Sequence, residues 1–565
     1  MCGIAGIFGS AAQQPTLERM LEAQKHRGPD FTAVKQVAEN GFLGHNRLSI
    51  LDLSDAANQP FESSCGRYTL VFNGEIYNYV ELKQQLAHEF SFRTQSDTEV
   101  LLAAYQKFGT EVTEHLNGMF AFAIYDRETK SLFAARDRFG VKPFYYFLAA
   151  DLFLFASEIK PIFEAGVPKQ ANNSVWSAYL MYGSYGAPDE TFWADIRQLP
   201  AGSRLLYQNQ KLEVTRWYDF TARISEIKLK AEAEVSEIVE QLLLDATRLR
   251  FRADVAVGFN LSGGVDSSTL LGLIKAQDFN QSQINAFTFI CNDTRYDELQ
   301  WVRAMLAKTD FPLHVVPITH QEVPDLFEKI SAHQLEPFGG LPTLAYAKIF
   351  DYARSLDVKV LLDGQGADEA WAGYDYYLKS ENSVVQGTTV NPFKKRALNA
   401  EFSKLGIESE LELKFESRLK NVQYRDLFST KLPRALRFND RVSMLYGTEL
   451  REPFLDYRLV EYVFAQPDNF KIKDGTQKWL LRQIATKYLN SEIVSAPKRP
   501  LQTPQREWLS GELKSWVLDK TAVLKKHDFF ESKALETELE LFFKGQNQSS
   551  FHIWQYISSA ELLFP

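Results

Sequence analysis

The chain has 565 residues, 63 basic and 72 acidic side chains, a formal net charge of -9 and 45% hydrophobic residues. This length is too great for a single hydrophobic core, so two or more domains are expected in an ordinary globular protein. The mild negative charge argues against nucleic-acid binding through a basic face, and no apolar run is long enough to span a membrane. The three cysteines, Cys2, Cys65 and Cys291, are odd in number and far apart, which favours free thiols in a reducing, cytoplasmic setting.

Residues 2–215 are predicted to form an α+β layered domain. Strands are expected in RYTLVFNG and in two hairpins, MFAFAIYDRETKSLFAARD and FYYFLAADLFLFASE. Helical patterns occupy the gaps between them, in YVELKQQLAHEF and DTEVLLAAYQKFG. Hairpins mixed with separate helices are typical of helices layered on antiparallel sheets.

Strand and helix alternate from about residue 230, after a boundary predicted at 218–230. The strand-like runs are DVAVGFN, INAFTFICN, LHVVPI and KVLLD, and the helix-like stretches are STLLGLIKAQ, ELQWVRAMLAKT and TLAYAKIFDYARSL. This alternation predicts a doubly wound parallel sheet, and the chain from about residue 380 is expected to be mostly helical.

Cys2 lies directly behind the initiator methionine. If Met1 is removed, this residue carries both a thiol nucleophile and a free α-amine, whose reference pKa of about 7.7–8.0 suits a base at neutral pH. The alternative is that Cys2 is a small hydrophobic residue at the start of a strand.

Two loops that follow predicted strands suit a phosphate ligand. LSGGVDSS follows DVAVGFN and precedes a helix, while DGQGADEAWAGY follows KVLLD. Adjacent glycines and a helix N-terminus favour phosphate binding, although the spacing and the missing lysine exclude a Walker A loop. Both loops are expected at the carboxyl edge of the sheet, where Asp266 and Asp368 could hold Mg²⁺ across a polyphosphate. Taken singly, each aspartate would be interpreted as a helix cap or a solvated turn.

These motifs resemble those of known families. SGGVDSS resembles the pyrophosphate-binding loop of the ATP pyrophosphatases, which cleave ATP between the α and β phosphates. MCGIAG, HRGPD, HNRLSI, FNGEIYNY and QSDTEVLL, in that order, resemble the class II glutamine amidotransferases, which use an N-terminal cysteine nucleophile. With RDRFGVKPFYY and SEIK, the two modules together resemble the glutamine-hydrolysing asparagine synthetase family over nearly the whole chain.

The resemblance implies an N-terminal-nucleophile glutaminase domain, layered αββα, over residues 2–215 and an ATP-dependent synthetase domain over 230–565. The catalytic residues that it implies are Cys2 as nucleophile, Asn73 and Gly74 as oxyanion donors, and Lys478 directed at the α-phosphate. Glutamine is expected to bind Arg47, Leu48, Ile50, Glu75 and Asp97. ATP is expected to bind Leu261, Ser262, Gly263, Gly264, Asp266, Ser267, Ser268 and Gly364, and Mg²⁺ to bind Asp266 and Asp368. His26 in HRGPD is either structural or catalytic.

Two places depart from the pattern of this family. Gln365 stands where an acidic residue is common, and a neutral amide cannot accept a proton from an attacking nitrogen. The segment KRPLQTPQREWL lacks the usual Gly-Phe, near the position where relatives bind the acceptor.

The expected reaction is glutamine-dependent, ATP-driven amidation of aspartate to asparagine through an acyl-adenylate, with release of AMP and pyrophosphate. One alternative keeps this mechanism on a uronic acid of a nucleotide sugar or surface-glycan precursor. Others are a non-catalytic glutamine or nucleotide sensor, and a phosphosugar aminotransferase, which would need a sugar-isomerase module instead of SGGVDSS. The expected partners are small molecules, with no nucleic acid and no membrane, and a homodimer is left open.

Overall fold

Two antiparallel sheets form the N-terminal half of the computed structural model, which describes residues 2–307, 309–379, 391–408, 410–494, 503–547 and 549–564. The strand orders are β10-β8-β9-β1-β3-β2 in the first sheet and β12-β11-β7-β6-β5-β4 in the second. In chain order, these strands are β1 (Gly3–Phe8), β2 (Phe31–Ala38), β3 (Gly41–Arg47), β4 (Phe61–Glu62), β5 (Tyr68–Ile76), β6 (Gly118–Asp126), β7 (Ser131–Arg136), β8 (Tyr145–Ala149), β9 (Leu152–Ala156), β10 (Ile196–Gln198), β11 (Ser203–Gln208) and β12 (Lys211–Arg216).

The two sheets pack face to face between layers of helices. Ile4 and Leu43 of the first sheet meet Val71 and Ala123 of the second in a buried apolar cluster. Helices cover the outer faces, because their apolar sides pack on the strands. They are α1 (Gln14–Ala23), α2 (Tyr79–Leu86), α3 (Asp97–Phe108), α4 (Val112–His115), α5 (Ile159–Glu164) and α6 (Asn173–Tyr182). The predicted αββα layering is confirmed.

A parallel five-stranded sheet forms the centre of the C-terminal half. Its order is β15-β14-β13-β16-β17, and every neighbouring pair is parallel. Its strands are β13 (Val257–Asn260), β14 (Asn285–Ile290), β15 (Leu313–Pro317), β16 (Val360–Leu362) and β17 (Glu449–Arg451). The predicted parallel sheet is confirmed, but β17 lies in the stretch predicted to be helical. Three residues are too few for a recognisable strand pattern.

Helices surround this sheet. In chain order they are α7 (Phe220–Ser225), α8 (Glu232–Arg250), α9 (Val265–Lys275), α10 (Leu299–Leu306), α11 (Val323–Gln334), α12 (Leu341–Ser355), α13 (Ala367–Ala370), α14 (Ala400–Ser403), α15 (Arg418–Phe428), α16 (Lys431–Met444), α17 (Tyr457–Ala465), α18 (Trp479–Ala485), α19 (Ser491–Val494), α20 (Gln505–Ser510), α21 (Lys514–Thr521), α22 (Ser532–Phe543) and α23 (Phe551–Leu563). A short hairpin pairs β18 (Ile472–Lys473) with β19 (Thr476–Gln477). Among the described residues, no helix is both long and apolar enough to cross a membrane.

The two halves share a buried interface. Leu48 and Ile50 of the first half belong to the same apolar cluster as Val257, Leu362 and Leu455 of the second. A hydrogen bond between the backbone N–H of Asp254 and the carbonyl of Ile50 (2.9 Å) adds a direct link. The interface therefore places the residues that follow β3 against the parallel sheet of the C-terminal half.

Candidate functional site

A small cavity of about 30 Å³ lies beside the first residue of β1. Seven of its lining residues are ones that the sequence motifs singled out: Cys2, Arg47, Leu48, Ile50, Gly74, Glu75 and Asp97. The other lining residues are Leu51, Ala57, Gln59, Phe72, Ser96 and Thr98. Motifs that are up to 95 positions apart in the chain thus converge on one site.

Cys2 is buried in this cavity next to an unused hydrogen-bond donor. The backbone N–H of Cys2 donates to Oδ1 of Asn73 at 3.1 Å. Burial raises the pKa of the Cys2 thiol, although a hydrogen bond from the backbone of Leu48 opposes the shift. Nδ2 of Asn73 is buried without a hydrogen-bond partner among the described residues. A protonated thiol needs a base before it attacks, and a free amide donor beside it suits a developing oxyanion.

Gly74 follows Asn73 on β5, and only glycine fits there. A Cβ at this position would lie 2.1 Å from the carbonyl oxygen of Met119 on the paired strand β6. This close approach keeps the strand next to the nucleophile in place.

Arg47 ends β3 with its guanidinium held by the following loop. Nη1 donates to the carbonyl of Ser54 at 2.8 Å and to Oδ1 of Asn58 at 2.7 Å, and Nη2 donates to the carbonyl of Asp52. These bonds fix the orientation of a cation that lines the cavity, as the recognition of a carboxylate requires.

Burial raises the pKa of both acids that line the cavity. Burial raises the pKa of Asp97 to about 6, against a hydrogen bond from the backbone N–H of Ile76. Burial and the neighbouring Glu449 carboxylate raise the pKa of Glu75 well above its ordinary value, although Arg451 opposes the shift. At neutral pH Asp97 is therefore mostly ionised and suits a substrate ammonium.

His26 lies outside this cavity, in a cluster of charges between the halves. Its Nε2 is 3.1 Å from both oxygens of Glu158, and its ring meets that of His333 at 4.4 Å. Nη1 of Arg27 bridges Glu158 (3.0 Å) and Asp440 (2.9 Å). His26 thus contacts Glu158 and His333 and does not line the cavity of Cys2, which supports the structural role for His26.

A second cavity, of about 310 Å³, opens at the carboxyl edge of the parallel sheet. It is bordered by the loops after β13 and β16, which are neighbours in the sheet, as the sequence predicted. Its predicted lining residues are Leu261, Ser262, Gly263, Gly264, Asp266, Ser267, Gly364, Asp368 and Lys478. Ser268 is not among the lining residues, because its hydroxyl points back along α9 and donates to the carbonyl of Gly264 at 2.7 Å. Its role in ATP binding stays a prediction.

Lys478 joins the two aspartates of this cavity. Its Nζ lies 2.7 and 2.5 Å from the two oxygens of Asp266 and 2.6 Å from Oδ1 of Asp368. Burial disfavours the charged amine, but Asp266 and Asp368 outweigh it and raise the pKa of Lys478. A Cβ on Gly373 would lie 1.9 Å from Oδ1 of Asp368 and 2.1 Å from Cε of Lys478, so a larger residue there would displace these side chains. The carboxylates of Asp266 and Asp368 thus converge on one point. Their oxygens are the hard ligands that suit Mg²⁺.

The places where the sequence departs from the family pattern lie at this cavity or beyond the described residues. Gln365 lines the cavity. Within KRPLQTPQREWL, residues 498–502 lie outside the described residues. Oε1 of Gln505 accepts a hydrogen bond from the backbone N–H of Leu341 at 2.8 Å, at the start of α12, whose next residues, Pro342 and Thr343, line the cavity.

Residues 238–564 match the family model described as asparagine synthase, and residues 1–218 match that of a glutamine amidotransferase domain. The chain belongs to the asparagine synthase family. It is an enzyme of the ligase type, a glutamine-dependent amidotransferase, in a family that uses ATP as a co-substrate.

Relatives of this family member span most of its length. Asparagine synthetase [glutamine-hydrolyzing] 1 of Bacillus subtilis is 28% identical, over 92% of this chain and 89% of the relative. Putative asparagine synthetase [glutamine-hydrolyzing] 2 of Methanocaldococcus jannaschii is 33% identical, over 67% and 76%. Amidase chry2 of Gibberella zeae is 27% identical, over 91% and 90%.

Several residues that line the larger cavity of this asparagine synthase family member were not predicted from the sequence. Glu298 accepts the backbone N–H of Gly263 at 3.0 Å, from a stretch with no recognisable motif. Arg482 lines the cavity one helical turn beyond Lys478, so the i, i+4 spacing could have indicated it. Asp363 and Glu369 flank the predicted Gly364 and Asp368 and also line the cavity.

Proposed function

We propose that the chain converts aspartate to asparagine, with glutamine as nitrogen donor and ATP as energy source. The observation that carries this proposal is the convergence of Lys478, Asp266 and Asp368 in the cavity at the sheet edge. This lysine lies between two carboxylates, next to the loop of Gly263 and Gly264 at the N-terminus of α9. Such an arrangement suits a nucleoside triphosphate and its cation.

In the small cavity, the Cys2 thiolate attacks the carboxamide carbon of glutamine. With Met1 removed, the α-amine takes the thiol proton and returns it to the leaving ammonia, and water then hydrolyses the thioester to glutamate. Nδ2 of Asn73 and the backbone N–H of Gly74 stabilise the oxyanion, while Arg47 and Asp97 hold the carboxylate and ammonium of the substrate.

In the larger cavity, the acceptor carboxylate attacks the α-phosphorus of ATP, and the bond to pyrophosphate breaks. Lys478 stabilises the charge that develops on the α-phosphate. Asp266 and Asp368 would hold Mg²⁺, which neutralises the charge of the pyrophosphate when bound. Ammonia then attacks the acyl carbon, the bond to AMP breaks, and the proton that the nitrogen loses passes to the released AMP phosphate or to water. Gln365 can orient this nitrogen but cannot take its proton.

Two groups of relatives point to different acceptors. Relatives named asparagine synthetases support aspartate, whereas relatives named amidases, together with Gln365, favour testing other carboxylates. The mechanism is the same for a uronic acid of a nucleotide sugar or glycan precursor. The domain bounds 2–215 and 230–565, the cytoplasmic setting and the homodimer stay predictions.

Pyrophosphate release with glutamine, ATP and Mg²⁺ tests the proposal across aspartate, glutamate and uronic-acid acceptors. We expect pyrophosphate, AMP and asparagine in equal amounts with aspartate. Glutaminase activity without aspartate-dependent pyrophosphate would refute aspartate as acceptor, and release with a uronic acid would identify the alternative.

A further inference from the structure

The side chain of Arg451 connects the two cavities. It lies on β17, the edge strand of the parallel sheet, and is completely buried. Its Nη1 donates to the carbonyls of Arg250 and Arg252, both at 2.8 Å, and its Nε pairs with Glu449 at 2.5 Å. The Arg451 guanidinium is held in place by these partners, because its movement would leave buried polar groups without a partner.

On the glutaminase side, Nη2 of Arg451 lies 3.3 Å from Oε1 of Glu75. Glu75 lies two residues after Asn73 on β5 and lines the small cavity that holds Cys2, which is the proposed glutamine cavity. The Arg451 guanidinium also lies over the ring of Tyr77 at 5.6 Å. One side chain of the C-terminal half therefore contacts the strand end that carries the predicted oxyanion donors.

On the synthetase side, the link runs through the backbone. The carbonyl of Arg451 accepts the backbone N–H of Asp363 at 2.9 Å. Asp363 accepts a hydrogen bond from Nδ2 of Asn260 at 2.8 Å, and both residues line the larger cavity, which is the proposed ATP cavity. The next residue, Gly364, would place a Cβ 3.2 Å from that of Asp266. A shift of the Arg451 backbone would therefore move Asp363. Through Asn260 and Gly364, this movement would be transmitted to both loops that border the cavity.

We propose that Arg451 is a positioning residue that couples the two sites, so that occupancy of the ATP cavity sets Glu75 and β5 for glutamine hydrolysis. This inference rests on the proposed function. Coupling of this kind requires that a bound ligand changes the contacts of a shared element, and the contacts Glu75–Arg451–Asp363 form a continuous path through which such a change would pass. Coupling free energies between sites commonly correspond to about 5–150-fold changes in affinity.

Arg451→Lys tests the coupling, because lysine keeps the positive charge but cannot hold four partners at once. Glutaminase kcat/KM is measured with and without ATP and acceptor, together with the ratio of glutamate to amide formed. In the wild type we expect ATP and acceptor to raise kcat/KM by at least about fivefold. In Arg451→Lys we expect no stimulation and a several-fold higher ratio, with unchanged ammonium-dependent synthesis.

Arg252→Lys is the matched control. Arg252 also crosses between the halves, where it binds Glu81 and the carbonyl of Tyr77, but it does not line the glutamine cavity. It should keep the wild-type stimulation and ratio. Glu449→Gln is a second variant, which loosens the same guanidinium without changing Arg451, and it should raise the ratio to an intermediate value.

Three results separate the possible outcomes. Wild-type stimulation and ratio in Arg451→Lys would overturn the coupling. Parallel loss of ammonium-dependent and glutamine-dependent synthesis in both variants would also overturn it, since Arg451 would then be purely structural. A wild type that forms no amide with any acceptor would instead refute the proposed function, independently of the variants.

Discussion

Replacing Asn73 by alanine removes the unpaired Nδ2 donor beside Cys2 and the Oδ1 acceptor of the Cys2 N–H. Loss of one preorganised oxyanion donor lowers kcat by about 10²–10³-fold, or about 2.7–4 kcal/mol of transition-state stabilisation. Loss of the Oδ1 acceptor leaves an N–H of the buried Cys2 nitrogen unpaired, which is the α-amine once Met1 is removed, and destabilises the fold by about 1–3 kcal/mol. We therefore expect a large fall in glutaminase kcat with a modest fall in the melting temperature.

Glutamate release measures the first effect, and ammonium-dependent amide formation reports whether the rest of the enzyme is intact. The control is Asn78→Ala. The Asn78 amide donates to the carbonyl of His115 and accepts from the N–H of Asn117, but Asn78 does not line the cavity of Cys2. It should lose stability without losing glutaminase kcat. If Asn73→Ala keeps kcat within about threefold of the wild type, the oxyanion assignment is wrong.

Three further outcomes are expected. Cys2→Ala should abolish glutamine-dependent amide formation and keep ammonium-dependent synthesis; equal loss of both would make Cys2 structural. Asp266→Asn should stop ATP-dependent pyrophosphate release while basal glutaminase activity continues, because Asp266 lies in the other cavity; unchanged release would remove Asp266 from the metal site. The pKa of Asp97, raised to about 6 by burial, predicts that kcat/KM for glutamine falls as pH drops through about 6, since the protonated acid no longer pairs with the substrate ammonium. Ammonium-dependent synthesis should lack this inflection. A constant kcat/KM for glutamine between pH 5 and 7, the range centred on the pKa of Asp97, would contradict the role of Asp97.

Elements defined by local pattern were predictable from the sequence. The hairpins β6–β7 and β8–β9 and the loops after β13 and β16 carry their own turn, glycine and apolar signals. The convergence of Asp266 and Asp368 on one edge followed from the rule that parallel strands present their carboxyl ends together.

Contacts between distant parts of the chain were not predictable. Glu449 and Arg451 sit on a three-residue strand without a pattern, and their link to Glu75 spans more than 370 positions. Glu298 reaches Gly263 from the loop before α10, and nothing in its neighbourhood marks it. The raised pKa of Glu75 depends on burial against a carboxylate of the other half, which a motif cannot show.

Leu48 and Ile50 line the small cavity beside Cys2 and also belong to the apolar cluster that continues into the C-terminal half. The floor of this cavity is therefore part of the interface between the halves. An isolated N-terminal fragment would expose this floor to water, where exposed apolar side chains favour local rearrangement or self-association. The halves are consequently not interchangeable parts, and a chimera would have to bring both surfaces of this interface from one parent.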